Sequence, residues 1–122
     1  VIMEKLIDRK TGKPTNRVEY ANTFYKELDD TETALGILEE TRLQYLQMEG
    51  MVKIRGFNDK SITKSQWARW QKAYPEVVSS LVFIYRKNNQ LMDAELVLSD
   101  WVDRNPTDKN AKKILDNIRS GE

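Results

Sequence analysis

Residues 75–106 read PEVVSSLVFIYRKNNQLMDAELVLSDWVDRNP. Within this stretch Val78, Leu81, Val82 and Tyr85 stand at three- and four-residue steps, as do Ala94, Leu98 and Trp101. Such spacing puts one apolar face on each of two helices, with Asn88-Asn89 as the turn between them. An apolar run like 77–85 also suits a buried strand, but its length and the matching stripe after the turn favour helix. Sixty positions earlier the pattern recurs in Val18, Ala21, Asn22 and Tyr25, followed by Ala34, Leu38 and Thr41. In both copies a large tyrosine is followed nine residues later by a small alanine, and four residues after that by a leucine. Self-similarity of this kind marks repeat architecture, and helical-hairpin repeats generally present a surface to another chain.

Working outward, the polar run Asp8-Arg9-Lys10-Thr11-Gly12-Lys13-Pro14 reads as a loop closing an N-terminal segment of about fifteen residues. Asn16 followed by Glu19 is a helix-start signal. A first helix is expected from Arg17 to Leu28, with Val18, Ala21, Phe24, Tyr25 and Leu28 as its apolar stripe. Asp29, Asp30 and Glu32 then favour the positive end of a second helix. Its stripe is Ala34, Ile37, Leu38, Thr41, Tyr45 and Met48, and Gly50 is its expected C-terminal cap. Residues 51–61 lack a period and read as a connector. Thr63 with Gln66 forms a capping box opening a short helix through Trp67, Trp70 and Ala73. Pro75 is expected to end it and to start the next, since the residue before proline disfavours helical geometry. After Asn105-Pro106, Thr107 is the expected cap of a last helix carrying Ala111, Ile114, Leu115 and Ile118 on one face and charges on the other. The chain therefore reads as six helices without a strand.

Composition narrows the chemistry. The 122 residues suit one domain. There is neither cysteine nor histidine, so this stretch holds no disulfide framework, no thiolate site and no Ser-His-Asp or Cys-His arrangement. The pairs Asp29-Asp30 and Glu39-Glu40 are sequence neighbours, and neighbours on a helix point about 100° apart. Capping and solvation account for both pairs, and no catalytic, cofactor-binding or metal-ligating residue is expected. No window approaches the roughly 18 apolar residues of a membrane span. The first residue is Val1 rather than Met, so the sequence reads as a piece of a longer protein.

Net charge is +1, unevenly spread: +3 over 1–17, −6 over 18–50, +5 over 52–72 and −1 over 73–122. In 52–72, Trp67 and Trp70 stand among Lys53, Arg55, Lys60, Lys64, Arg69 and Lys72. Cations interleaved with aromatic rings can track phosphates while stacking bases. Trp67, Trp70 and Tyr74 also share one helical face, which suits a core.

The hairpin at 75–106 resembles a tetratricopeptide repeat: Val78, Leu81, Val82, Tyr85, Ala94, Leu98, Trp101 and Pro106 fall on eight of that family's positions. Val82 and Asn89 occupy the two places where the family has glycine. The hairpin at 16–50 is a weaker copy, with Asn22 for Gly, Thr41 for Ala and Leu46 for Pro. The resemblance implies an all-α fold of antiparallel helical hairpins, a tetratricopeptide-like array of two degenerate repeats with an inserted helix and a C-terminal capping helix. It divides the chain into a segment 1–15, hairpins 16–50 and 75–106, a connector with inserted helix 51–74, and a capping helix 107–122. It also implies a non-catalytic protein-interaction or scaffold module without cofactor, whose partner is another protein or the rest of its own parent chain. By position, the partner-facing residues would be Glu19, Thr23, Lys26 and Glu27 in the first hairpin and Ser79, Phe83, Arg86 and Lys87 in the second. The alternatives are nucleic-acid binding through 52–72, or an accessory module of a membrane protein or enzyme.

Overall fold

The computed structural model describes residues 14–57 and 62–121. These form five α-helices: α1 (Pro14–Lys26), α2 (Thr31–Arg55), α3 (Lys64–Lys87), α4 (Leu91–Arg104) and α5 (Lys109–Arg119). The fold is all-α, built of packed helical hairpins, with no strand among the described residues. Two compact units divide between Val77 and Val78, within α3. Residues 1–13 of the expected N-terminal segment 1–15, and connector residues 58–61, Lys60 included, lie outside the described residues.

In the first unit α1 packs against α2. Val18 and Ala21 are buried from α1, and Ala34, Leu38 and Thr41 from α2. The chain reverses at Asp29, whose φ of 52° lies in the left-handed region, while the Asp30 amide donates back to the Phe24 carbonyl at 2.9 Å. Asp30 caps α2, accepting from the Thr33 amide at 3.1 Å and the Thr33 hydroxyl at 2.7 Å. Asn16 does not start α1. The helix already includes Pro14, whose fixed φ and missing N–H suit a first helical turn. At the other end α1 stops at Lys26, leaving Leu28 exposed rather than in the stripe.

Gly50 does not end α2. The helix runs on to Arg55 and is closed by Gly56, at φ 70° and ψ −161°, whose amide donates to the Val52 carbonyl. That backbone region is open to glycine and strained for other residues. A mid-helix glycine costs only about 1 kcal/mol. Here an ion pair of Lys53 with Glu49 at 3.8 Å and cations in the last turn favour continuation.

Thr63 and Gln66 form the expected capping box: the Gln66 amide donates to the Thr63 hydroxyl at 3.1 Å and the Thr63 amide to Gln66 Oε1 at 3.0 Å. Pro75, however, interrupts nothing. α3 is continuous from Lys64 to Lys87, so one helix stands where two were expected. Ala73 and Tyr74 before the proline and Val77 after it are buried, which holds the helix on both sides. The Tyr45 ring of α2 stacks on Tyr74 at 3.8 Å between centroids and on Trp67 at 5.0 Å. Trp67 and Tyr74 lie two turns apart on α3, so Tyr45 fits between them. Tyr74 is thereby kept helical despite its proline neighbour. The Gln71 carbonyl, deprived of an amide donor by Pro75, belongs to an exposed residue that water can reach.

The second unit contains the C-terminal part of α3, with α4 and α5. Asn89, at φ 58°, turns the chain. The Gln90 amide donates to the Tyr85 carbonyl at 2.7 Å and the Asn89 amide to that of Arg86 at 3.2 Å, a Schellman closure. Val78, Leu81, Val82, Tyr85, Ala94 and Leu98 are buried, and Ala94 has no exposed surface. α5 packs on α4 through Ala111, Leu115 and Ile118. Its cap is Asp108, not Thr107: the Asp108 carboxylate accepts from the Ala111 amide at 3.0 Å. Thr107 is outside the helix and exposed.

Two substitutions test this packing. Ala94→Leu adds volume where no surface is exposed and should destabilise the second unit by about 1–3 kcal/mol in urea unfolding. Pro75→Ala restores the missing donor on an exposed position and should raise stability by about 1–3 kcal/mol, read from thermal unfolding by circular dichroism. A loss on Pro75→Ala would mean that the proline ring itself contributes to packing.

Candidate partner-binding surface

On α3 the buried positions leave a narrow exposed strip. Ser79, Phe83, Arg86 and Lys87 recur at i, i+4, i+7 and i+8 and are all exposed, which is the spacing of one helical face. Phe83 has 51% of its surface in solvent, while its neighbours Val82 and Ile84 are buried. The Lys87 ammonium stands 5.7 Å from the Phe83 ring centroid, within cation–π range. With Arg86 one turn along, the strip presents an aromatic ring beside two positive charges.

The residues singled out on α1 make a more polar strip. Glu19, Lys26 and Glu27 are exposed and Thr23 is half-buried. The Thr23 hydroxyl donates to the Glu19 carbonyl at 3.0 Å, so its donor is used within its own helix. Thr23 and Lys26 belong to the first unit, whereas Ser79, Phe83, Arg86 and Lys87 belong to the second.

The aromatic residues of 52–72 are engaged within the first unit. Trp67 stacks on Tyr45, and the Arg17 guanidinium lies 5.8 Å over the Trp70 ring. Arg17 also donates to the Gln44 side-chain carbonyl. Both tryptophans are half-buried, and Tyr74 is buried. Rings held in this way contribute to packing first, and the cations Lys64, Arg69 and Lys72 stand exposed beside them.

One surface escaped the sequence reading. α2 exposes Leu43 and, in its extension, Met51 and Ile54, Ile54 at 84%. Gln47, Gly50, Met51, Ile54 and Arg55 line an open cavity of about 480 Å³. Reading 51–61 as a connector concealed it. The signal was the absence of proline at Leu46, the position matching Pro106, which lets the helix and its apolar residues continue. Among the described residues no group of three or more acidic side chains is placed to hold a metal ion. No described helix is long and apolar enough to cross a membrane.

Asp108 links two elements electrostatically. The Trp101 indole N–H donates to its carboxylate at 3.0 Å. That bond and the Ala111 amide hold the Asp108 pKa below its ordinary value of 3.8. Asp30 is lowered in the same sense by the Thr33 hydroxyl and amide.

No protein-family model, no curated protein and no solved structure matches this chain.

The lowered Asp108 pKa carries a signed pH dependence. Its stabilisation is complete above the ordinary value of 3.8 and is lost as pH falls through the lower folded value. Asp108→Asn keeps an acceptor for the cap but cannot titrate. It should therefore flatten part of the acid-induced fall in urea midpoint, with the Asp30 share remaining, as followed by tryptophan fluorescence. An unchanged acid slope would remove Asp108 from the account.

Proposed function

We propose that this chain is a non-catalytic protein-interaction module of tetratricopeptide-like hairpins, binding through the α3 strip of Ser79, Phe83, Arg86 and Lys87. The carrying observation is Phe83. It is a large aromatic side chain held half in solvent with the Lys87 ammonium over its ring, in the second-unit part of α3, whose other apolar residues Val78, Leu81, Val82, Ile84 and Tyr85 are buried. Aromatic and arginine side chains dominate interface energies when a partner desolvates them. Cations flanking the ring favour a partner segment pairing an apolar group with carboxylates.

Support for the repeat reading comes from the matched hairpins. Positions sixty apart share environment: Val18 with Val78, Ala21 with Leu81, Ala34 with Ala94 and Leu38 with Leu98 are all buried. The left-handed turn residues Asp29 and Asn89 are also sixty apart.

Affinity capture from the source cell, comparing the native chain with Phe83→Ala, Arg86→Ala, tests the site. A partner retained by the native chain should lose roughly tenfold or more in affinity with the double variant, since truncating a hot spot costs about 2 kcal/mol. Both substitutions are at exposed positions, so circular dichroism should be unchanged. Equal retention by both chains would discard the α3 strip.

A further inference from the structure

We infer that the exposed face of α2 is a self-association surface, on which a second copy of this chain pairs antiparallel about Leu43. At 100° per residue, Glu32, Gly36, Leu43, Gly50 and Ile54 fall within about 40° of one another. Leu43 is 57% exposed and Ile54 84%, so this face carries apolar side chains that its own unit leaves uncovered. The cavity beside Gly50 lies on the same face.

The occupant follows from the symmetry of the face. Gly36 and Gly50 each stand seven residues from Leu43, and Glu32 and Ile54 each stand eleven from it. A two-fold axis at Leu43 therefore sets Leu43 against its own copy and each glycine against the other glycine of the second copy. Two-fold interfaces are isologous and need this kind of self-complementary patch. A Cβ at either glycine would meet nothing within 4 Å, so packing inside this chain does not require them. Mid-helix glycine weakens a lone helix, but allows a second backbone to come close at both positions.

Charge selects the direction. Before Leu43, Glu32 and Glu39 are exposed on this face and Glu40 beside it; after Leu43 the exposed cations Lys53 and Arg55 flank the face in the last turn. Antiparallel pairing about Leu43 sets Glu32 of each copy beside Ile54 of the other, next to that copy's Lys53 and Arg55, and sets Glu39 and Glu40 against the uncharged Gln47 and Leu46. Parallel pairing would set the glutamates of the two copies together. Complementary charges of this kind fix register and orientation. The α3 strip is not part of this face.

The chain has no cysteine, so introduced thiols report without background. Sedimentation of the purified chain over a wide concentration range should show a monomer–dimer equilibrium. Ile54→Glu should weaken it at least roughly tenfold, with circular dichroism unchanged. Phe83→Ala, Arg86→Ala should leave it intact, which separates this surface from the proposed partner site. Under mild oxidation Leu43→Cys should cross-link to itself. Gly36→Cys and Gly50→Cys should each form no disulfide alone and cross-link when mixed. A monomer at every concentration would overturn the pairing and leave the face to a different chain. Self-linking of Gly36→Cys would overturn the antiparallel arrangement, and association that survives Ile54→Glu would place the interface elsewhere.

Discussion

The architecture depends on two residues that accept a left-handed backbone. Asp29 and Asn89 turn the chain at φ 52° and 58°. Asx side chains tolerate this conformation better than most others. Each turn places the next helix start within one residue, with Asp30 and Gln90 at the N-cap positions. Reversal over so short a distance brings consecutive apolar stripes face to face, and the alanines at 34 and 94, both without exposed surface, fall just after it. Without these reversals the stripes would have no partner nearby in the chain. The capping bonds stabilise helix ends that are already committed by the turns.

A second constraint is the aromatic stack of Tyr45 with Trp67 and Tyr74. Proline disfavours a helical residue before it, yet Tyr74 is helical because its ring is buried and stacked. Large apolar burial contributes about 1.5–3 kcal/mol per side chain, and several such residues flank Pro75. Their combined gain is comparable with the roughly 3 kcal/mol that an interior proline costs. Local propensity and tertiary packing conflict here, and packing prevails. The continuous helix contributes its first part to one compact unit and its second part to the other.

The two hairpins also show how one residue changes what a fold presents. Pro106 stands just beyond the end of α4, whereas Leu46, at the matching place, lets α2 run nine residues further to Arg55. That extension carries Met51 and Ile54 into solvent and ends in the exposed cations Lys53 and Arg55. The surface chemistry of α2 thus follows from a missing helix stop. The α3 strip arises differently: Phe83 occupies the one sector of α3 that the buried positions leave open.

Much of this was legible in sequence. Periodicity placed the helical stripes except at Leu28, and the Thr63–Gln66 pair and the Asn88-Asn89 turn were read from local chemistry that stays within a few residues. The resemblance carried Ser79, Phe83, Arg86 and Lys87 to partner-facing positions, and all four are exposed. Boundaries were less legible, because each was a competition between signals of similar size. Gly50 was read as the C-cap that Gly56 supplies, Thr107 as the N-cap that Asp108 supplies, and Asn16 as the start of a helix that already includes Pro14. The sequence alone thus determined the helical class, the reversals and the faces, since these depend on residue spacing and on short-range hydrogen bonds. Only the tertiary structure decided that Pro75 lies inside a helix and that the rings of Trp67 and Tyr74 embrace Tyr45. Those outcomes depend on contacts between residues far apart in the chain, whose burial outweighs the local preference.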